Sequence, residues 1–151
     1  MRTKNRLLGS LGVASRAGMA AAVAGVGLVV LSAGPAFATA ADSNCGAAAY
    51  GPMCYYYHSN YAGARAAING PVGDLYLWEF SNTGAGAGQD VANNAGSGVN
   101  ADTRCVAQIW EHVSQSGRVK ELNYNGYIGD RDTTLDALNN NNRSQGWRSC
   151  S

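Results

Sequence analysis

The sequence predicts an all-β domain, a sandwich built from two similar halves. Three observations predict it. After residue 38 helical periodicity is nearly absent, and short aromatic or β-branched runs are punctuated by glycine and by asparagine clusters. The pattern of the first half restarts near Arg104 with the same internal spacing. Four cysteines in a small exported chain read as two disulfides.

The export reading comes from the first 38 residues. Arg2, Lys4, Arg6 and Arg16 give a positive start, residues 19–31 are apolar, Gly34-Pro35 breaks the run, and Ala36-Phe37-Ala38 supplies small residues for cleavage after Ala38, with Ala40 as the alternative. The apolar run is short for a membrane span, which needs about 20 residues. Residues 1–38 are therefore expected to be a signal peptide and residues 39–151 one secreted domain. All ten Asp and Glu lie after the cut, with seven of the 11 Lys and Arg, so the mature charge is −3 rather than the +1 of the whole chain. No basic stripe interleaves with the aromatics, which argues against a nucleic-acid partner. The mature form is expected to be a monomer without a membrane partner.

The elements follow in order. Residues 53–58 suit a strand, 59–63 a turn and 64–68 the return strand. Residues 75–80 alternate and predict a third strand. Residues 81–89 form a Gly/Ala loop, too rich in glycine to be a rigid anchor, and 91–101 hold a short fourth strand. The second set starts with a strand at 104–111, a turn at 114–117 and a return at 118–122. A strand is expected at 124–128, a polar stretch with a helical turn at 130–138, an Asn loop at 139–142 and a final strand at 145–148.

The two sets align. Tyr56, His58, Tyr61 and Gly63 match Trp110, His112, Gln115 and Gly117, and the run Asn93-Asn94-Ala95-Gly96-Ser97 matches Asn140-Asn141-Asn142-Arg143-Ser144. Each half alone is too small to bury a core, so the halves must pack on each other.

Cys45, Cys54, Cys105 and Cys150 allow three pairings. Cys45–Cys54 with Cys105–Cys150 is preferred, because the first closes a short loop and the second ties the chain end to a later strand. Zinc fails on spacing, since no Cys-x-x-Cys pair exists. Catalysis finds no support either. The two histidines share a repeat position, Asp130, Asp132 and Asp136 read as a solvated turn, and Ser59, Ser97 and Ser144 lack a nucleophile-elbow context. Tyr55, Tyr57, Trp78, Trp110, Tyr124, Tyr127 and Trp147 exceed what a small core needs, so some could bind a wall polymer, a carbohydrate or a partner.

The spacing aromatic-x-x-x-x-aromatic-x-Gly, Tyr56 to Gly63, resembles the Greek-key signature of the βγ-crystallin fold. That resemblance implies a sandwich of two Greek-key motifs, with Tyr56 as a hairpin lid, Tyr61 as its partner and Gly63 in a conformation that side chains disfavour. Trp110 and Gly117 take these places in the second copy, where Gln115 departs from the pattern. More narrowly, Cys45, Cys54, the three tyrosines and the Asn60-to-Arg65 turn resemble secreted actinobacterial proteins of peptidase inhibitor family I36. The family takes its name from a Streptomyces inhibitor of thermolysin-like metalloproteinases. The resemblance implies a secreted inhibitor whose partner is an extracellular, thermolysin-like peptidase. A reactive segment at Arg104, Cys105 and Val106 would suit it, with a disulfide beside the bond and apolar Val106 after it.

The Asn-Asn-x-x-Ser runs also resemble the calcium loops of microbial βγ-crystallins. That implies calcium as a candidate ligand at Asn93, Asn94 and Ser97 and at Asn140, Asn141 and Ser144. Gly98 and Gln145 replace the final serine, and no carboxylate fills the first two places. The alternative function is a calcium-binding or antimicrobial, killer-toxin-like module without inhibitory activity; a purely structural extracellular protein comes third.

Overall fold

A computed structural model describes residues 39–40, 45–81, 83–124 and 130–151. The leader reading and Tyr127 lie outside them, as does most of the strand expected at 124–128. The strands are β1 (Thr39–Ala40), β2 (Met53–Tyr56), β3 (Arg65–Ile68), β4 (Trp78–Glu79), β5 (Ser97–Asn100), β6 (Val106–His112), β7 (Ser116–Leu122), β8 (Arg131–Asp132) and β9 (Ser144–Arg148). One sheet runs β3-β2-β5-β8 and a second runs β7-β6-β9, while β1 pairs with β4 in parallel. Apart from three short 3-10 turns, the regular structure of the described residues is all strand.

The halves are interlocked, not merely stacked. β8 comes from the second half yet pairs with β5 of the first, Gly98 opposite Asp132. Val72 of the first half returns the exchange. It bridges Gln145 of β9, each N–H donating to the other's carbonyl at 3.0 and 2.9 Å. Each third strand therefore completes the other half's sheet, the repeat solution to a half too small to close alone.

The third strand expected at 75–80 is not there. Residues Leu75–Leu77 form a 3-10 turn, and only Trp78–Glu79 are extended. The reason is local. Asp74 Oδ1 accepts the Tyr76 N–H at 3.0 Å, which curls the chain before it can extend. The same turn recurs in the second half, where Thr134 Oγ1 accepts the Asp136 N–H at 3.1 Å. Leu75 and Leu135 then donate their N–H groups to Arg143 and Gly96 carbonyls, two positions equivalent in the repeat.

Between the sheets lies a core that includes Met53, Tyr55, Ile68, Leu75, Phe80, Val91, Ile109, Leu122, Leu135 and Leu138. Burial pushes the Tyr55 hydroxyl pKa far above its ordinary value. Both disulfides take the preferred pairing, Cys45–Cys54 and Cys105–Cys150. Buried Asn100 ties the halves together where the chain crosses. Its amide donates to the carbonyls of Cys105 and Leu122, both at 2.9 Å.

Residues 78–90 have no counterpart in the second half. They leave the frame after the Leu75–Leu77 turn and rejoin it when the Val91 N–H donates to the Trp78 carbonyl at 2.8 Å. Their Gly/Ala loop is more tightly held than its composition suggests. The Ala64 N–H donates to the Ala85 carbonyl at 2.8 Å and the Gly88 N–H to Phe80 at 2.9 Å. Gly86 sits so close to the Tyr57 ring that a Cβ there would stand 2.2 Å from it. The glycines allow close packing, so here they lock the loop against the frame.

Candidate functional site

Each hairpin is folded over by a serine from the last strand of its own half. Ser97 Oγ accepts the Tyr61 N–H at 3.0 Å and donates to the His58 carbonyl at 2.6 Å. Ser144 Oγ accepts the Gln115 N–H at 2.9 Å and donates to the His112 carbonyl at 2.6 Å. The turn residues match in backbone as well. Asn60 and Tyr61 have φ of 57° and 60°, Ser114 and Gln115 have 55° and 58°, and Gly63 and Gly117 have 83° and 82°. A Cβ on Gly117 would lie 2.7 Å from His112 Cδ2, so the histidine packs onto the glycine.

The hairpins differ in what covers them. The Tyr56 and Tyr61 rings meet edge to face at 5.6 Å, and burial raises the Tyr61 pKa. In the second half the Gln115 amide donates to the Gln145 carbonyl at 3.1 Å. An amide that bonds the last strand replaces an aromatic that packs on the first.

The two asparagine loops face each other across the repeat axis. Asn93 and Asn140 both have positive φ, 58° and 54°. The Asn93 N–H donates to the Asn142 carbonyl at 2.8 Å and the Asn140 N–H to the Ala95 carbonyl at 2.9 Å. Their side chains serve the loops. The Asn94 amide donates to the Asp90 and Ala92 carbonyls, and the Asn141 amide donates to Glu111 Oε1 at 3.0 Å. Ser97 and Ser144 are engaged in the hairpins, and among the described residues no three His, Cys, Asp or Glu gather to hold a metal. Two loops without a carboxylate of their own are a poor fit for a hard cation.

The segment Arg104, Cys105 and Val106 passes from an exposed side chain to two buried ones. Asp102 Oδ1 accepts the N–H groups of Arg104 and Cys105 at 2.6 and 3.0 Å. Arg104 is exposed, with its guanidinium 5.1 Å from the Tyr50 ring centre. Cys105 and Val106 are 2% and 5% exposed. The Cys105 carbonyl accepts from the Asn100 amide at 2.9 Å, so the backbone on both sides of Cys105 is held in place. The carboxylates at 130–136 are likewise engaged. Lys120 Nζ bridges Asp132 at 2.6 Å and Asp136 at 2.5 Å, which raises the lysine pKa, and Asp130 accepts the Asn123 N–H.

The aromatics singled out from sequence are not the exposed ones. Tyr55 is in the core, and Tyr57, Trp78, Trp110, Tyr124 and Trp147 are half-buried. The large apolar side chains that reach solvent among the described residues are Tyr50, Tyr76, Leu77, Val113 and Val119. Tyr76 and Leu77 stand on the capped turn after Asp74. Arg143 Nη2 contacts Asp74 Oδ1 at 3.0 Å, and its guanidinium lies 5.5 Å from the Tyr76 ring centre. Sequence reasoning missed this turn because 75–80 passed for a strand. Matching Asp74 and Leu75 to Thr134 and Leu135 would have found it.

A comparison with solved structures supports this architecture. One solved structure, described as "Evolution of the eye lens beta-gamma-crystallin domain fold", matches with a TM-score of 0.54 at 19% identity, over 70% of this chain and 93% of that chain. The N-terminal domain of protein S matches with a TM-score of 0.46 at 18% identity, over 65% of this chain and 96% of that one. No curated protein matches the chain. The family model for peptidase inhibitor family I36 matches residues 38–122, more than half of the sequence. The chain belongs to peptidase inhibitor family I36.

Proposed function

We propose that the mature chain is a secreted inhibitor of metallopeptidases of the thermolysin type, and not itself an enzyme. The observation that carries the reading is the family match over residues 38–122. Two disulfides accord with secretion.

The physical requirement of such an inhibitor is pre-organisation. A segment held in one conformation loses little entropy when it docks, so more of its contact energy appears as affinity. The interlocked strands, the two serine-locked hairpins and the Cys105–Cys150 bridge supply that stiffness. Calcium has no part in this mechanism.

The test is a titration of residues 39–151 against thermolysin, with subtilisin as comparison, each with and without calcium. Stoichiometric loss of thermolysin activity, unchanged by calcium, is the expected result. Undiminished activity of both peptidases under excess protein would overturn the reading and favour a binding module on the same fold.

A further inference from the structure

The chain crosses from the first half to the second past two buried polar side chains. Asn100 is fully buried at the end of β5, and Asp102 is 2% exposed. Asn100 Oδ1 accepts the Asp102 N–H at 2.9 Å. The Asn100 amide donates to the carbonyls of Cys105 and Leu122 at 2.9 Å and of Asn123 at 3.3 Å. Asp102 Oδ1 accepts the N–H groups of Arg104 and Cys105. The two side chains thus grip Cys105 together, one by its carbonyl and the other by its N–H. The chain end adds two more holds. The Ser151 N–H donates to the Arg104 carbonyl at 3.2 Å, and Cys150 is bonded to Cys105. On the far side Val106 opens β6 and pairs with Arg148 of β9.

The strand itself does not require this arrangement. In the repeat register that matches Ser97 with Ser144, Asn100 falls on Trp147 and Asp102 on Ser149. Trp147 is half-buried and Ser149 is exposed. The second half therefore ends its matching strand without a buried amide or carboxylate. Such groups bring little net stability over apolar side chains, and they are costly to bury when a bond is missing. What a satisfied polar network brings is one fixed backbone conformation. Here its bonds converge on Arg104 and Cys105, in the segment that the sequence marks as the one to meet the peptidase.

We propose that Asp102, held in place by Asn100, is a positioning residue that makes this segment inhibitory instead of merely cleavable. The proposal rests on the inhibitor reading and on the segment Arg104, Cys105 and Val106. Hydrolysis before Val106 breaks the bond between the Cys105 carbonyl carbon and the Val106 nitrogen. Water supplies a hydroxyl to the carbon and a proton to the nitrogen, and the reverse step expels that water. Cys105 and Val106 are 2% and 5% exposed, so cutting requires the segment to open locally. The population of the opened form then sets the rate of cutting. The bonds from Asp102 oppose that opening. After a cut, Cys105 stays on Cys150, Asp102 holds its N–H, and Val106 stays paired in the sheet. Ends held side by side favour resynthesis, and the cut chain keeps the shape that binds.

The test compares three variants of the mature chain. Asp102→Ala removes the acceptor, and Asp102→Asn keeps an oxygen that can accept both N–H groups. Ser144→Ala removes a buried hydroxyl at the opposite end of the β6–β9 pairing. Each is incubated with thermolysin. Inhibition constants, melting temperatures, and mass spectra with and without reduction are followed in time. A chain cut before Val106 stays joined by its disulfide and separates into residues 39–105 and 106–151 only on reduction. Asp102→Ala is expected to be cut about ten-fold faster or more and to inhibit about ten-fold more weakly, the effect of one lost hydrogen bond to the segment. Asp102→Asn and Ser144→Ala are expected to stay close to the wild type in both readings. Should Asp102→Ala fold poorly, Asp102→Ser takes its place, with a smaller change in the same direction. Equal losses of inhibition by Asp102→Ala and Ser144→Ala would overturn the proposal. So would a folded Asp102→Ala that inhibits and is cut like the wild type, or inhibition with no cut before Val106 in any variant; both leave the inhibitor reading intact. A wild-type chain that inhibits neither thermolysin nor subtilisin would overturn both.

Discussion

The first and second halves share a frame and differ in what they attach to it. Both fold a hairpin under a serine, Ser97 or Ser144, and both lend a third strand to the other's sheet. The first half then adds aromatic packing, residues 78–90 and the apolar turn of Tyr76 and Leu77. The second half adds charge. Arg118 pairs with Glu111 at 2.6 Å, Arg148 with Glu121 at 2.5 Å, and Lys120 with two aspartates. The difference teaches that one repeat frame tolerates very different surfaces. The common residues carry the fold, and the unequal ones are free to differ without disturbing it.

The comparison can be broken most severely at the disulfides. Cys105–Cys150 spans 45 residues and Cys45–Cys54 spans nine. On the chain-entropy model these loops are worth about 4 and about 2.6 kcal/mol, so removing the pair Cys105 and Cys150 is expected to cost the greater stability. Denaturant midpoints of the two double Cys→Ser variants check this, and equal losses would deny it.

Next come the serines. Ser97→Ala and Ser144→Ala each remove one donated and one accepted bond from a buried hydroxyl. Each is expected to cost about 1–3 kcal/mol, and the two by similar amounts if the frame is shared. A large loss from only one would show that the halves are not energetically equivalent.

The smallest effect sharpens the contrast in charge. Hydrogen bonds from Arg118 lower the Glu111 carboxyl from 4.5 to about 2, and those from Arg148 do the same to Glu121. A depressed folded-state pKa means that the unfolded chain binds protons more readily. The stabilisation is complete above 4.5 and is lost as pH falls toward 2. These pairs are largely exposed, so the expected drop in melting temperature is modest and reduced by salt. Amide exchange at low pH should rise first in β6, β7 and β9, and a uniform rise over both sheets would contradict the assignment.

Much of the frame was legible in the sequence. The hairpins announced themselves through Tyr56 to Gly63 and Trp110 to Gly117, because a positive-φ turn needs glycine at a fixed distance from its strand. The asparagine loops did so for a similar reason, since asparagine tolerates the left-handed region at residues 93 and 140. The strand exchange was not legible. β8 has two residues and Val72 makes a single bridge, too short for any alternation to register. Exposure was not legible, because it depends on the whole packing. Val106 is almost fully buried, whereas Tyr76 and Leu77 looked like half of a strand and stand in water. The cap at Asp74 was the one local clue.

The measurement that tests the account most directly is amide exchange of the wild-type mature chain, free and bound to thermolysin. The account predicts new protection confined to one contiguous surface of the domain, with exchange of the shared serine-locked frame otherwise unchanged. Exchange unchanged everywhere on addition of the peptidase would contradict it.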